Sequence, residues 1–203
     1  GIACGWVLAR TRFRGKLLVD AILHAPLVMP PVVTGYLLLM LLGRKGILGE
    51  ALYRYFGITT AFTWKAAVIA SAVMGFPLMV RAVRIAMEMA DPKLEAAART
   101  LGANPLRTFM TVTLPLARPG IITGLVLAFA RSLGEFGATI VFAGNIQGET
   151  RTLPLAVYSY MQIPGGDAAA FRLVLVSILL SLGALVVSEL LSRRYHPVEG
   201  RDA

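Results

Sequence analysis

Four long apolar runs dominate this sequence and leave it few ways to fold: 19–42, 64–87, 120–142 and 171–191. A helix needs roughly 20 predominantly apolar residues to cross the hydrocarbon core of a bilayer, and each run is of that order. The composition agrees. Of the 203 residues, 57% are hydrophobic and 15% charged, against about 45–50% and about 25% in soluble domains, and the mean hydropathy is +0.71. Four such runs in one chain argue against a soluble core and for a single polytopic helical membrane domain over residues 1–203. Prolines fall inside three of the runs or at their edges. Pro26, Pro30 and Pro31 lie in the first, and since neighbours repair freed carbonyls in membrane helices, they predict a kink rather than a break.

The formal charge is +9, from 20 Lys and Arg against 11 Asp and Glu. The excess lies beside the apolar runs, which fits membrane-flanking loops and not a nucleic-acid surface. Residues 10–16, 81–118 and 193–201 hold 13 of the 20 basic residues, six lie on the other side, and Arg131 remains. The positive-inside rule then puts residues 10–18, 85–119 and the C-terminus in the cytoplasm. That arrangement predicts an outside N-terminus and about five transmembrane helices. The opening "GIACGWVLA" is too short to span and does not begin with Met, so it reads as a first helix truncated here. Cys4 is the only cysteine, which leaves no intrachain disulfide.

The segment 88–119, "EMADPKLEAAARTLGANPLRTFMTVTLPLARP", carries dense local signals. Asp91-Pro92 is a helix start, with Asp as the cap and Pro at the first helical position. "KLEAAART" has high helix propensity, and Gly102 is placed to end the helix. Asn104-Pro105 starts a second short helix, and Pro115 and Pro119 close the unit. Two short cytoplasmic helices result, the first carrying the small residues Ala96, Ala97 and Ala98. Such a stretch is a solvated amphipathic loop or a surface that another protein approaches closely.

The spacing from Glu95-Ala96-Ala97 through Gly102 to Val112, Leu114 and Pro115 resembles the EAA loop of bacterial ABC importer permeases, with Val112 where the family pattern has Ile. The resemblance implies an all-α membrane protein, a polytopic bundle of the type I ABC importer permease kind. It makes 88–119 a coupling loop that docks on an ATP-binding cassette ATPase subunit, with Glu95, Ala96, Ala97, Arg99 and Gly102 at the interface. The chain has no G-x-x-x-x-G-K-[ST] stretch, so ATP and Mg²⁺ are expected on the partner ATPase, no cofactor on this chain, and no catalytic residue.

One stretch within the third run, "ARSLGEFGATI" (residues 130–140), places two opposite charges four apart. At about 100° per residue, Gly124, Ala128, Arg131, Glu135 and Ala138 share one helical face, opposite Val126, Phe129, Leu133, Phe136 and Ile140. Charge inside a bilayer costs about 2.5–3.5 kcal/mol per residue on insertion scales, so such groups face a partner or a wet cavity. Two compatible readings follow: an Arg131–Glu135 ion pair fixing helix packing, or a face on a translocation route with Ser132, Gly134 and Thr139 alongside. The longer stretch 130–166 and "HAPLVMPPVVTGYLLL" resemble the molybdate branch of these permeases, and share a "GE-aromatic-G" core with sulfate and thiosulfate permeases. The resemblance implies a bacterial inner-membrane importer of an oxyanion, molybdate first and tungstate or sulfate as alternatives. It also implies a homodimer, lipid around it, a periplasmic oxyanion-binding protein as partner, and no nucleic acid. Residues 143–168 lie outside by this topology, as a surface or re-entrant loop in which Arg151 is a candidate binding-protein contact.

Other classes fit less well. A membrane enzyme would need a site, but His24, His196 and Cys4 are far apart and no HExxH or GxSxG occurs. His24, beside Pro26, reads as a packing or helix-entry residue rather than a ligand. An ion-coupled secondary transporter would use Arg131 and Glu135 but would not need the loop at 88–119.

Overall fold

The computed structural model describes residues 1–195, so His196 and Arg201 lie outside the described residues, as does the side chain of Glu189. Every regular element among the described residues is helical. In chain order these are α1 (Ile2–Arg10), α2 (Lys16–Val28), α3 (Pro31–Leu42), α4 (Ile47–Phe56), α5 (Trp64–Met89), α6 (Pro92–Thr100) and α7 (Pro105–Thr108). A π-helical turn (Phe109–Thr113) follows, then α8 (Leu114–Leu116), α9 (Arg118–Leu133), α10 (Gly137–Phe142), α11 (Leu153–Met161) and α12 (Asp167–Tyr195).

By length and composition, α5 and the 167–187 part of α12 are long and apolar enough to cross a membrane. The count rises to four if two bent pairs each make one span: α2 with α3, and 105–116 with α9. Pro77 lies inside α5 without interrupting it, as a membrane helix tolerates.

Two of the four runs are not single helices. The first is broken, not kinked: α2 and α3 meet at 116°. Pro26 stays within α2, but Pro30 is extended (φ −54°, ψ 133°) and Pro31 starts a new helix. Consecutive prolines remove two donors, and each also disfavours the helical conformation of the residue before it. The run at 120–142 also splits. The helix α9 ends at Leu133, Gly134 to Phe136 leave the helical path, and the six-residue α10 begins at Gly137. Gly134 and Gly137 weaken helix propagation on both sides of Glu135, so a single wheel drawn through 124–138 does not describe the segment. By contrast, α6 and α7 appear where the loop's signals put them. Asp91 Oδ1 accepts from the Lys93 N–H at 2.9 Å and Asn104 Oδ1 from the Arg107 N–H at 2.8 Å, while Gly102 sits at φ +87°, a conformation costly for other residues. The second helix does not stop at Pro115, however. It continues through the π-helical turn to Leu116 and bends by 67° into α9.

The chain packs as two compact units. One comprises residues 1–22, 76–128 and the part of α12 from Ala184; the other comprises 23–75 and 129–183. In the first, Val83, Met87 and Ala117 are fully buried, with Ile2, Trp6, Ala9, Phe109 and Ile121 packed around them. The Trp6 and Phe109 rings meet edge to face, centroids 5.6 Å apart. In the second, Ala66, Ala70, Met74, Ala138, Phe142 and Ala143 form the core, covered by Leu38, Leu39 and Leu42.

Small residues dominate that second core for a physical reason. Lipid tails are as apolar as leucine, so close backbone approach has to supply the attraction between helices. A Cβ on Gly35 would lie 2.7 Å from the Ala138 carbonyl oxygen and 2.8 Å from its Cα, which brings α3 and α10 into backbone contact. Gly35→Val is expected to cost about 1–3 kcal/mol by overpacking, read as a lower thermal midpoint of the purified protein in detergent. Gly183→Ala, whose added Cβ meets nothing within 4 Å, should leave the midpoint in place. Equal midpoints for both variants would contradict the packing.

Candidate functional site

The break between α9 and α10 gathers most of the charged and hydroxyl residues that the sequence singles out. Glu135 is 1% exposed. Its Oε1 accepts the Ala138 backbone N–H at 2.7 Å, which satisfies one of the orphan donors in the first turn of α10 and places negative charge at the positive end of that helix. Its Oε2 lies 2.7 Å from Arg131 Nη1. That N–H is not aligned on the oxygen, so Oε2 has an ion pair without a directed hydrogen bond. Thr139 turns its hydroxyl back onto the Phe136 carbonyl at 2.9 Å and the Glu135 carbonyl at 3.2 Å. Ser132 donates to the Ser71 carbonyl at 3.1 Å, tying the end of α9 to α5.

The i,i+4 pairing of Arg131 with Glu135 therefore exists, although the helix assumed to carry it has ended. Gly134 differs from its neighbours. It is exposed and lines a 620 Å³ apolar groove with Phe136, Pro154, Tyr158 and Ser177. Arg151 donates through Nε to Asn145 Oδ1 at 2.8 Å, and Asn145 donates to Ser159 Oγ at 2.7 Å. Its guanidinium thus braces the 143–152 loop against α11.

A second constellation surrounds α6. Ala96, Ala97, Arg99 and Gly102 are exposed, and so are Leu94 and Leu101. Glu95 points the other way. Its side chain is 13% exposed and its Oε1 accepts from Arg10 Nη2 at 2.8 Å and from the Thr113 hydroxyl at 3.0 Å. Arg10 Nη2 also donates to the Ala90 carbonyl at 3.1 Å. Among the five loop residues, four form an outward face and one anchors the loop inward.

Arg10, Ser71 and Thr113 are absent from the residues singled out by sequence, and no local pattern marks them, because their partners are 18 to 85 positions away. Asp20 carried a weak signal as a charge inside an apolar run. It pairs with Arg84 at 2.9 Å, and Arg84 in turn reaches Glu88 at 2.8 Å. Among the described residues no cluster of three His, Cys, Asp or Glu is arranged to hold a metal.

Residues 1–197 match the family described as "Binding-protein-dependent transport system inner membrane component". The chain belongs to that family. It is 60% identical over 201 residues to the molybdenum transport system permease protein ModB of Escherichia coli strain K12, covering 99% of this chain and 88% of the relative. The Haemophilus influenzae ModB is 56% identical over 193 residues, 95% of this chain and 84% of the relative. The sulfate transport system permease protein CysT of Escherichia coli strain K12 is 36% identical over 197 residues, 96% of this chain and 71% of the relative. The fold is similar to that of the inward-facing MetNI methionine ABC transporter, with a TM-score of 0.73 at 19% identity over 97% of this chain and 86% of that one. Family membership accounts for the helical membrane architecture of the described residues.

The Glu135 node generates a stability test. Removing Arg131 leaves a buried carboxylate without its counter-charge, a loss of about 3–5 kcal/mol for a fully buried pair. Because Arg131 is 27% exposed on its side chain, about 2 kcal/mol is expected for Arg131→Met, measured by thermal unfolding in detergent. Arg131→Met/Glu135→Gln should lose less than Arg131→Met alone. A double variant as unstable as the sum of the singles would show that the two side chains are not coupled.

Proposed function

We propose that this chain is the permease subunit of an ATP-driven importer of molybdate in a bacterial inner membrane. Its proposed partners are a second copy of itself, an ATP-binding cassette ATPase that carries ATP and Mg²⁺, and a periplasmic oxyanion-binding protein. The observation that carries the substrate reading is the difference in identity: 60% to a molybdenum permease over nearly the whole chain, against 36% to a sulfate permease.

The docking reading rests on α6. A short helix with no buried residue of its own, an exposed row of small and apolar side chains, and caps at both ends is suited to lie in a groove on another protein. Ala96, Ala97, Arg99 and Gly102 would meet the ATPase, and Glu95 would hold the helix in place from behind. Placing Arg131, Ser132, Gly134, Glu135 and Thr139 on the translocation route is supported by charge and hydroxyl groups concentrated at a helix break, where backbone dipoles end. In this reading Arg131 is the attractive group for a dianion and Glu135 limits how tightly it holds one, since a passing ion has to leave again. For Arg151, internal bracing of the periplasmic loop favours an indirect part in receiving the binding protein.

Two experiments check this. Ala97→Arg puts a long cation on the docking face and should abolish co-purification of the ATPase while the protein still inserts in the membrane; unimpaired co-purification would overturn the docking face. Proteoliposomes holding the assembled importer, supplied with its binding protein and ATP, should accumulate molybdate at least tenfold faster than sulfate at equal concentration. Equal rates, or faster sulfate, would overturn the substrate assignment.

A further inference from the structure

We infer that Arg10 is the residue through which movement of the docking helix reaches the rest of its unit, a positioning residue for coupling. The inference rests on the docking reading of α6 and adds what lies behind it. Nothing apolar on α6 is buried, so the helix has no hydrophobic anchor with which to pull. What holds it is a polar node of three elements. One guanidinium nitrogen of Arg10, the last residue of α1, donates to Glu95 Oε1 at 2.8 Å and to the Ala90 carbonyl at 3.1 Å. Those acceptors stand in the first turn of α6 and just before its capping residue Asp91. Thr113, 2% exposed and at the end of the π-helical turn, gives Glu95 its second bond, and the node its third, at 3.0 Å.

Two acceptors on either side of the helix start resist both translation and swivel, whereas a single contact would allow rotation about itself. The side chains of Arg10 and Glu95 are 17% and 13% exposed, so the pair is shielded from the screening that makes surface bridges weak. Behind Arg10, α1 is seated firmly. Leu8 is 1% exposed, Trp6 stacks edge-on against Phe109, and a Cβ on Gly5 would lie 2.7 Å from Val83 Cγ1. A pull on α6 is thus delivered by the ion pair to α1, and by Thr113 to the segment that leads into α9. Both bonds leave from Nη2, whose two N–H groups are fixed in the guanidinium plane and aim at two separated acceptors; lysine has the charge without that fixed geometry.

The test uses the importer assembled with its ATPase and binding protein in proteoliposomes, with molybdate imported per ATP hydrolysed as the readout. Arg10→Gln is expected to keep the ATPase bound and hydrolysing but to lower that ratio at least tenfold, Arg10→Lys to lower it less, and Thr113→Val to give a partial loss. Arg10→Glu should be as defective as Arg10→Gln, and the swap Arg10→Glu/Glu95→Arg should recover at least threefold over Arg10→Glu, which loss of folding alone would not produce. A wild-type ratio for Arg10→Gln, or a swap no better than Arg10→Glu, overturns the inference. Ala97→Arg reports on docking separately: an ATPase retained by that variant removes the docking face, whereas an altered ratio with the ATPase still bound concerns Arg10 alone.

Discussion

Lipid offers a polypeptide no hydrogen-bond partners, so any interruption of a helix inside it has to be repaired by the protein itself. Residues 134–136 interrupt the helical path between α9 and α10, and Glu135, itself 1% exposed, makes the repair there. One carboxylate oxygen satisfies a donor at the start of α10, the other neutralises Arg131, and the Thr139 hydroxyl covers the Glu135 carbonyl and adds to the Phe136 carbonyl, which also accepts the Ile140 N–H. Each group would be costly alone, and together they leave little uncompensated. Arg131 is therefore held rather than loose, with part of its surface still open. In the proposed function, a cation in that condition attracts an anion without trapping it.

The rest of the second unit is organised around keeping this node buried. Apolar surface does little work where the solvent is itself apolar, and close contact takes its place. Gly35 lets α3 lie against Ala138, and Gly137 sits where a Cβ would come within 2.8 Å of Pro31 Cβ. The proline pair that breaks the first apolar run therefore has a use: it starts α3 in the position where its first turn and Gly35 can close over α10. In the first unit the balance differs. Shape-matched apolar groups around Val83 and Met87 seat α1, and a polar node carries the exposed α6. On the proposed docking of α6, a few directed bonds fasten it better than a large dry contact would, because directed bonds transmit force along known axes.

Local chemistry was legible wherever it was decided by near neighbours. Asp91-Pro92, Asn104-Pro105 and Gly102 announced α6 and α7 because caps and left-handed turns depend on two or three adjacent residues. The Arg131–Glu135 pairing was legible for the same reason, at a spacing of four. The apolar runs, the basic loops and the motif from Glu95 to Pro115 mark a membrane permease in the sequence alone. Reading 120–142 as one helix failed because hydropathy registers what lipid tolerates and is silent on where a glycine-flanked carboxylate ends a helix. Reading 19–42 as a kinked helix failed because Pro30 and Pro31 act together while each alone is tolerable.

By itself the sequence determined the class of molecule, its helical content, the short capped helices α6 and α7 and the family, since these depend on composition, short-range spacing and motif. Only the tertiary structure decided that Glu95 faces inward to Arg10 and Thr113, that Glu135 caps a helix in addition to pairing with Arg131, and that Ser132 is spoken for by Ser71. Those contacts join residues up to 85 positions apart. An ion pair or a side-chain hydrogen bond leaves no periodic trace in either strand of sequence it connects, so it becomes visible only when packing brings the partners within reach.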